Sequence, residues 1–221
     1  MESSAAATLA FLGFLLASSP SPAQERVGGR WVAEWQVQGS QRYRNIGRCL
    51  HLIGDLDGDG IGEVASPLSV PNPELHVWSG RDGSFFWSSL PALGGSWALW
   101  GQELDTVPDA NGDSVPDLIV GDPGYRPSGS GATGIAVLLS GSTGAVLHSI
   151  LGSSPPSSMG NRVVGLADLD GDGRGDFGVS DSSAGGFTSD SYGQIWVHSG
   201  ATGQVIWSVL GSHRTARLGL G

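Results

Sequence analysis

An acidic segment of nine residues occurs three times in the chain, with first residues 54 and 59 positions apart. Each copy has Asp or Asn at positions 1, 3 and 5 and Asp or Glu at position 9, with glycine among them. We call the copies loop 1, loop 2 and loop 3; they are Asp55 to Glu63, Asp109 to Asp117 and Asp168 to Asp176. A repeat of this period indicates a series of similar units, none of which can bury its apolar residues without a neighbour.

Two other features recur in step with the acidic loops. A bulky residue followed by glycine lies before each loop, with the glycine eight residues ahead of the first Asp. A Ser-Gly-x-x-Gly segment lies after each loop. The bulky-Gly pairs are Ile46-Gly47, Trp100-Gly101 and Met159-Gly160, and the Ser-Gly-x-x-Gly segments are residues 79–83, 140–144 and 199–203. Three features in register indicate that the repeat is a structural unit.

Short apolar runs between these features predict strands. In the third repeat the runs are residues 162–167, 177–180, 194–199 and 205–210. Four strands in about 60 residues is the content of one propeller blade, a small antiparallel sheet that must stack on its neighbours. The predicted fold is therefore all-β, with β-propeller blades of four antiparallel strands, about three of them complete.

The predicted organisation of the chain follows the repeat boundaries. The apolar run from Ala5 to Ala17, followed by the small-x-small sequence Ser21-Pro22-Ala23, predicts a cleaved signal peptide. Residues 35–40 resemble residues 207–212, which predicts the outer strand of a closing blade near the N-terminus. The predicted segments are a signal peptide (residues 1–23), a linker with the outer strand (24–46), blade 1 (47–100), blade 2 (101–158), blade 3 (159–217) and the start of a further repeat (218–221). Because three blades cannot close a ring of ordinary size, we expect further blades from a longer chain or from oligomerisation.

The composition of the loops predicts calcium sites. Side-chain oxygens at positions 1, 3, 5 and 9 and a backbone carbonyl at position 7 are the hard ligands that Ca²⁺ prefers. Without a cation, neighbouring carboxylates repel each other by about 4 kcal/mol per close pair at an effective dielectric constant near 20. We expect about three Ca²⁺ ions, one per loop, that substitute for disulfides, since Cys49 is the only cysteine. The predicted ligands are Asp55, Asp57, Asp59, Ile61, Glu63, Asp109, Asn111, Asp113, Val115, Asp117, Asp168, Asp170, Asp172, Arg174 and Asp176.

Two other interpretations of these residues fail on the sequence. An EF-hand needs a bidentate Glu at position 12 and flanking helices, but position 12 here is Ser66, Val120 or Val179 in strand-like segments. The tripeptide Arg174-Gly175-Asp176 has the letters of an adhesion motif. Because the tripeptide lies inside loop 3, we expect Asp176 to be a metal ligand and not an adhesion contact.

Together with the acidic loops, the bulky-Gly pairs and the segment Val120-Gly121-Asp122-Pro123 resemble a known family. It is the family of FG-GAP repeats, found in the N-terminal propeller of integrin alpha subunits and in bacterial secreted proteins. The resemblance covers roughly residues 31–221 and is strongest at the loops. It implies a seven-bladed propeller with Ca²⁺ in loops between adjacent strands.

We therefore expect a calcium-binding, non-catalytic scaffold that lies outside the cytoplasm and binds a protein or glycan partner. The alternative is the propeller portion of a larger secreted hydrolase or lyase, with its active site elsewhere or on a propeller face. A cell-surface adhesion subunit is a third interpretation, which would need a membrane anchor. The net charge of −10 and the absence of lysine argue against a nucleic-acid partner. No apolar stretch is long enough to predict a transmembrane segment.

Overall fold

A computed structural model of the chain describes residues 8–10, 35–38, 49–68, 73–90, 95–96, 99–153, 155–184, 192–212 and 218–219. Every regular element within these residues is a β-strand. The strands are β1 (Thr8–Ala10), β2 (Gln36–Gln38), β3 (His51–Leu52), β4 (Val64–Leu68), β5 (Glu74–Trp78), β6 (Phe85–Ser89), β7 (Gly95–Ser96), β8 (Glu103–Val107), β9 (Asp117–Asp122), β10 (Arg126–Pro127), β11 (Ile135–Leu139), β12 (Val146–Leu151), β13 (Met159–Leu166), β14 (Asp176–Asp181), β15 (Gln194–His198) and β16 (Val205–Leu210). The described part of the chain is all-β, as the sequence predicts.

Most of these strands form three four-stranded antiparallel sheets. Sheet 1 has the order β3-β4-β5-β6, sheet 2 the order β8-β9-β11-β12, and sheet 3 the order β13-β14-β15-β16. Two further pairs, β1 with β2 and β7 with β10, are two-stranded. In sheet 3 the strands lie on the four apolar runs named above, so the prediction of four-stranded antiparallel blades is confirmed.

Sheet 2 contributes buried side chains on both of its faces, since successive side chains of a strand point to opposite sides. In β9, Leu118 and Val120 belong to a hydrophobic cluster shared with sheet 1, whereas Ile119 between them belongs to a second cluster shared with sheet 3. The first cluster consists of Ile53, Leu56, Ala65, Leu75, Val77, Trp87, Trp100, Leu118, Val120, Tyr125, Ile135, Val137 and Leu139. The second consists of Val107, Ala110, Ile119, Ala136, Leu138, Met159, Phe177 and Val179. The sheets therefore stack face to face in chain order, which is a propeller-type arrangement of blades.

The glycines that precede the acidic loops lie where one sheet meets the next. Gly101 has a φ of +73°, and a Cβ at this position would lie 2.6 Å from the Cβ of Pro67 in sheet 1. Gly160 has a φ of +82°, and a Cβ there would lie 2.2 Å from the carbonyl oxygen of Ile135 in sheet 2. Glycine alone fits both the positive φ and the close approach.

All three sheets carry a register shift at the same point of their third strand. The shifts follow Val77, Leu138 and Val197, in each case just before the Ser-Gly-x-x-Gly segment. A β-bulge of this kind increases the local twist of a strand and re-aims the residues that follow. The repeat is therefore reproduced in backbone detail as well as in strand order.

Several predicted segments lie wholly or largely outside the described residues. They include Ile46, Gly47 and most of residues 1–23 and 24–46. In that region the structure describes the pairing of β1 with β2 and the side chain of Trp35. Within the described residues, no helix has the length and apolar character needed to cross a membrane.

Candidate metal-binding loops

Each acidic loop connects the first strand of a sheet to the second. Loop 1 runs from β3 to β4, loop 2 from β8 to β9 and loop 3 from β13 to β14. In loop 1, Gly58 and Gly60 have φ values of +80° and +85°, and in loop 3, Gly171 and Gly173 both have +84°. These left-handed residues let the backbone fold around the acidic side chains, and glycine adopts them without strain.

The first Asp of loops 1 and 3 organises the backbone of its loop. In loop 1, Oδ1 of Asp55 accepts a hydrogen bond from the Gly58 N–H at 2.7 Å, and Oδ2 accepts one from Gly60 at 2.8 Å. In loop 3, Asp168 accepts the same two bonds, from Gly171 at 2.7 Å and from Gly173 at 2.8 Å. These amides hold the pKa of Asp168 below its usual value. Both carboxylates are therefore held in place by the backbone of their own loops.

The last acidic residue of each loop is fully buried; Asp117 and Asp176 are the first residues of the second strand of their sheets, and Glu63 directly precedes that strand. In loop 2, Asp117 accepts hydrogen bonds from the Ala110 N–H at 2.8 Å and from the Gly141 N–H at 3.0 Å. In loop 3, Asp176 accepts equivalent bonds from Leu169 at 2.7 Å and from Gly200 at 3.1 Å. The carboxylate thus ties its loop to the Ser-Gly-x-x-Gly turn of the same sheet. Burial also makes Asp176 unavailable as an adhesion contact.

Glu63, at the same position in loop 1, differs in one respect. Its Oε2 accepts a hydrogen bond from the Leu56 N–H at 2.5 Å, but its Oε1 is buried and has no hydrogen-bond partner among the described residues. Burial, together with the nearby loop carboxylates, raises the pKa of Glu63 to about 7. A buried carboxylate oxygen without a partner is unusual, because its desolvation is not compensated.

Two of the loops gather carboxylates around a common point. In loop 1 each of four side chains can place an oxygen within 4.8 Å of the others, and in loop 3 each of three side chains can do so. The groups are Asp55, Asp57, Asp59 and Glu63 in loop 1, and Asp168, Asp170 and Asp176 in loop 3. Anionic oxygen donors at this spacing fit a hard divalent cation, and in loop 1 one of the four donors is Glu63, whose buried Oε1 has no hydrogen-bond partner among the described residues.

The Asp at position 5 contacts the glycine turn in every repeat. In loop 1, Arg81 donates to Oδ2 of Asp59 at 2.5 Å and lowers the pKa of that carboxyl. In loop 2, the Ser142 hydroxyl donates to Asp113 at 2.7 Å and lowers its pKa. In loop 3, Asp172 lies 3.5 Å from a serine hydroxyl of the turn and is not part of the carboxylate group.

The residue at position 7 is bound through its backbone. The amides of Ile61, Val115 and Arg174 donate to the position 5 carboxylate of their own loops at 2.8, 2.9 and 2.8 Å. These bonds fix the turn that precedes the second strand. The predicted role of the three carbonyl oxygens as ligands stays a prediction.

Loop 2 does not gather its three carboxylates in this way, although all of its residues are described. The side-chain amide of Asn111 donates to Asp113 at 3.2 Å and to Asp117 at 3.4 Å. The guanidinium of Arg174, from loop 3, donates to Oδ2 of Asp109 at 3.2 Å. Protein donors thus lie among the loop 2 carboxylates.

Sequence reasoning missed the side-chain contact of Arg174, a residue that it predicted only as a backbone ligand. It was expected to contribute its carbonyl to loop 3, whereas its side chain reaches loop 2 and lies against Gly112, where a Cβ would be 2.2 Å from Nη2. One signal was present in the sequence, because Ile61 and Val115 occupy the same position in the other loops. A charged residue at an otherwise aliphatic position indicates a polar contact.

No protein-family model matches the chain, and no curated protein matches it. Among solved structures, it is similar to the propeller of Dos1, with 14% identity and a TM-score of 0.39 over 69% of this chain and 35% of that one. It is also similar to the rhamnogalacturonan lyase PL11 of Bacillus licheniformis, with 16% identity and a TM-score of 0.41 over 72% of this chain and 33% of that one. It is similar as well to the rhamnogalacturonan lyase YesW, with 16% identity and a TM-score of 0.44 over 73% of this chain and 34% of that one. The chain spans about a third of the length of each of these proteins.

The fold and the loops define a class of protein. It is an all-β protein of propeller-type blades, in which acidic loops join the first and second strands of the blades. Two of these loops gather carboxylates that can hold a cation.

Proposed function

We propose that this protein is a calcium-stabilised scaffold of the FG-GAP kind, in which loops 1 and 3 each bind one Ca²⁺ ion. The observation that carries the proposal is the side chain of Glu63, which belongs to a group of four loop carboxylates and whose buried Oε1 has no hydrogen-bond partner among the described residues. Leaving such a group without a partner costs about 1–3 kcal/mol, and more when it is charged. A cation that binds this oxygen removes the cost and offsets the repulsion among the carboxylates.

The donor set favours Ca²⁺ over other common cations. All of the gathered side chains are carboxylates, and His and Cys, which attract Zn²⁺ and copper, are absent from both groups. Mg²⁺ requires near-ideal octahedral geometry at short distances and retains water, whereas Ca²⁺ accepts flexible sets of six to eight oxygens. A glycine-rich loop with carboxylates at alternate positions fits the larger and less demanding ion.

We propose a structural role for the ions. Glu63 and Asp176 are fully buried, directly before β4 and at the start of β14, the second strands of sheets 1 and 3. An ion bound to them would fasten each loop to the strand that carries part of the core. At a free Ca²⁺ concentration of 100 times the dissociation constant, each site would add about 2.7 kcal/mol to stability. Extracytoplasmic compartments supply Ca²⁺ at such concentrations, which agrees with the predicted signal peptide.

The test combines ion counting with unfolding. We expect two Ca²⁺ ions per chain by calorimetric titration, and a melting temperature that rises more with Ca²⁺ than with Mg²⁺ relative to EDTA. Glu63→Gln keeps an acceptor for the Leu56 amide but removes the charge, so this variant is expected to bind one ion. Asp109→Asn in loop 2 is the matched control and is expected to bind two. A folded protein that binds no Ca²⁺, or Glu63→Gln binding as many ions as the native chain, would contradict the proposal.

We also propose that the scaffold is non-catalytic and acts by binding a partner. The scaffold would present its loops to bind a protein or glycan partner. Binding to an array of glycans and secreted proteins would then depend on Ca²⁺ and be lost in EDTA. Turnover of a polysaccharide by the purified chain would instead favour the hydrolase or lyase interpretation.

A further inference from the structure

Adjacent sheets are joined by one aromatic side chain on the outer strand. Trp87 of β6 in sheet 1 donates a hydrogen bond from Nε1 to the carbonyl oxygen of Gly141 in the turn of sheet 2, at 2.7 Å. Its ring lies over Gly144 of the same turn, where a Cβ would be 2.6 Å from the ring. The second glycine of the Ser-Gly-x-x-Gly turn therefore makes room for an aromatic residue of the preceding sheet.

The same contact recurs at two other places in the chain. His148 of β12 in sheet 2 lies with Nε2 3.0 Å from the carbonyl oxygen of Gly200 in the turn of sheet 3. A Cβ on Gly203 would lie 2.9 Å from that imidazole. Trp35, which precedes β2, donates to the carbonyl oxygen of Gly80 in the turn of sheet 1 at 3.1 Å. Each of the three Ser-Gly-x-x-Gly turns thus receives a ring from a residue that precedes its own sheet in the chain.

Trp207 occupies the equivalent position in sheet 3. It pairs with Val197 across β15 and β16, as Trp87 pairs with Val77 across β5 and β6. The side chain of Trp87 is 8% exposed, whereas that of Trp207 is 46% exposed. Val164 of β13 and Val209 of β16 are 44% and 49% exposed. We call Val164, Trp207 and Val209 the outer face of sheet 3.

A second element of the interface between repeats is already present on this face. Gly101 packs against Pro67 of sheet 1, and Gly160 packs against Gly121 at the equivalent position of sheet 2. Gly219 packs in the same way against sheet 3, where a Cβ would lie 2.4 Å from the Cβ of Ser180.

The residues directly before Gly160 and Gly219 also form equivalent contacts. Leu218 forms a parallel bridge with Gly193, as Met159 does with Gly134. Leu218 and Gly219 therefore take the same place on sheet 3 that Met159 and Gly160 take on sheet 2.

We propose that the outer face of sheet 3 is a docking surface for a further blade of this same repeat. The incoming blade would present a Ser-Gly-x-x-Gly turn whose first glycine carbonyl accepts the Trp207 Nε1 hydrogen bond, and its apolar face would cover Val164 and Val209. The proposal continues an interface that the chain already forms twice, between sheets 1 and 2 and between sheets 2 and 3. A second copy of the chain does not fit in the same orientation, because Trp35 already occupies the turn of sheet 1 at Gly80.

The test extends the full chain by one blade. A second copy of repeat 3, residues 159–217, is placed directly after residue 217, and oxidation of each tryptophan by hydroxyl radicals is measured by peptide mass spectrometry. We expect the oxidation rate of Trp207 in the extended chain to fall to that of Trp87, while Trp87 itself does not change. A Val in place of the second turn glycine of the added blade is the matched control, because its side chain would block the ring and leave Trp207 reactive.

A second extension keeps the test decisive if the first added blade does not fold. It uses repeat 2, residues 101–158, in place of repeat 3, with the same readout. A Trp207 that is equally reactive in the native and both extended chains would overturn the proposal. A native chain that dimerises and thereby protects Trp207, seen by ultracentrifugation and lost in Trp207→Asp, would also overturn it, because the occupant would then be a second copy.

Discussion

Loops 1 and 2 have the same spacing of acidic positions but arrange their carboxylates differently. In loop 1 four carboxylates come together, and the buried Oε1 of Glu63 has no hydrogen-bond partner in the described chain. In loop 2 the amide of Asn111 and the guanidinium of Arg174 donate to the carboxylates. One spacing of acidic positions thus gives two arrangements, a gathered group of carboxylates that could hold a cation and a set of carboxylates that accept hydrogen bonds from donors of the protein.

The hydrogen bonding of the first Asp differs between the two loops, and in loop 2 a glycine of the loop is replaced. Oδ2 of Asp55 accepts the Gly60 amide in loop 1, whereas Oδ2 of Asp109 in loop 2 accepts the Arg174 guanidinium. Ser114 stands in place of that glycine and keeps a positive φ of 68°. Arg174 thus donates to the oxygen of loop 2 whose counterpart in loop 1 accepts the amide of the replaced glycine.

The largest expected effect comes from the buried carboxylate of loop 2. Asp117→Ala leaves the amides of Ala110, Asn111 and Gly141 without their acceptor, so we expect a loss of about 3–5 kcal/mol in the free energy of unfolding. Because loop 2 holds no ion in our proposal, denaturant unfolding should show the same loss in Ca²⁺ and in EDTA. A loss that appears only in Ca²⁺ would break the comparison by showing that loop 2 binds a metal.

The pH dependence of the metal-free protein tests loop 1. The pKa of Glu63 is raised from 4.5 to about 7 in the folded chain, so between these values the folded state holds a proton that the unfolded state has lost. Stability in EDTA should therefore fall by on the order of 2–3 kcal/mol as the pH rises from 4.5 through 7. Glu63→Gln should flatten this part of the profile, as measured by denaturant unfolding at each pH. An unchanged slope in the variant would place the titrating group elsewhere.

Removing the arginine that reaches loop 2 should convert it toward loop 1. Arg174→Ile introduces the residue type found at Ile61, and the exposed ion pair that it removes is worth about 0.5–1 kcal/mol in EDTA. We expect the number of bound Ca²⁺ ions, counted by calorimetry, to rise from two to three, because the Asp109 carboxylate loses the Arg174 guanidinium and becomes available to a metal ion. Arg174→Lys keeps the charge and should leave the count at two. A count of two in both variants would show that Arg174 does not exclude the ion.

The smallest expected effect concerns the backbone of the two loops. Ser114→Gly should stabilise the protein by about 0.5 kcal/mol, because glycine adopts a positive φ without steric strain. Gly60→Ser in loop 1 is the reciprocal change and should destabilise by a similar amount, since a Cβ at Gly60 meets nothing within 4 Å and φ alone decides the outcome. Thermal unfolding in EDTA measures both. A loss of stability in Ser114→Gly would mean that the Ser114 side chain makes a contact that outweighs the strain.

Much of the fold could be predicted from the sequence, because its signals are local and occur three times. The alternation of apolar residues predicted the four strands of sheet 3, and the glycines before each loop marked where one sheet approaches the next. The spacing of the acidic residues identified both carboxylate groups of the structure. The same spacing could not distinguish loop 2, because Arg174 reaches Asp109 from another loop and the two residues meet only when the sheets are stacked.

What the sequence by itself determined was the repeat: its all-β units, its strand order and the residues of each acidic loop. These properties depend on strand periodicity and turn chemistry, which act over a few residues. The tertiary structure alone decided which donors complete each loop and which rings meet which turns. Arg174 reaches Asp109 and Trp87 reaches Gly141 across 65 and 54 residues, and such contacts exist only once the sheets have stacked. The stacking also decided that Trp207, equivalent in sequence to Trp87, presents an exposed ring at the outer face of sheet 3.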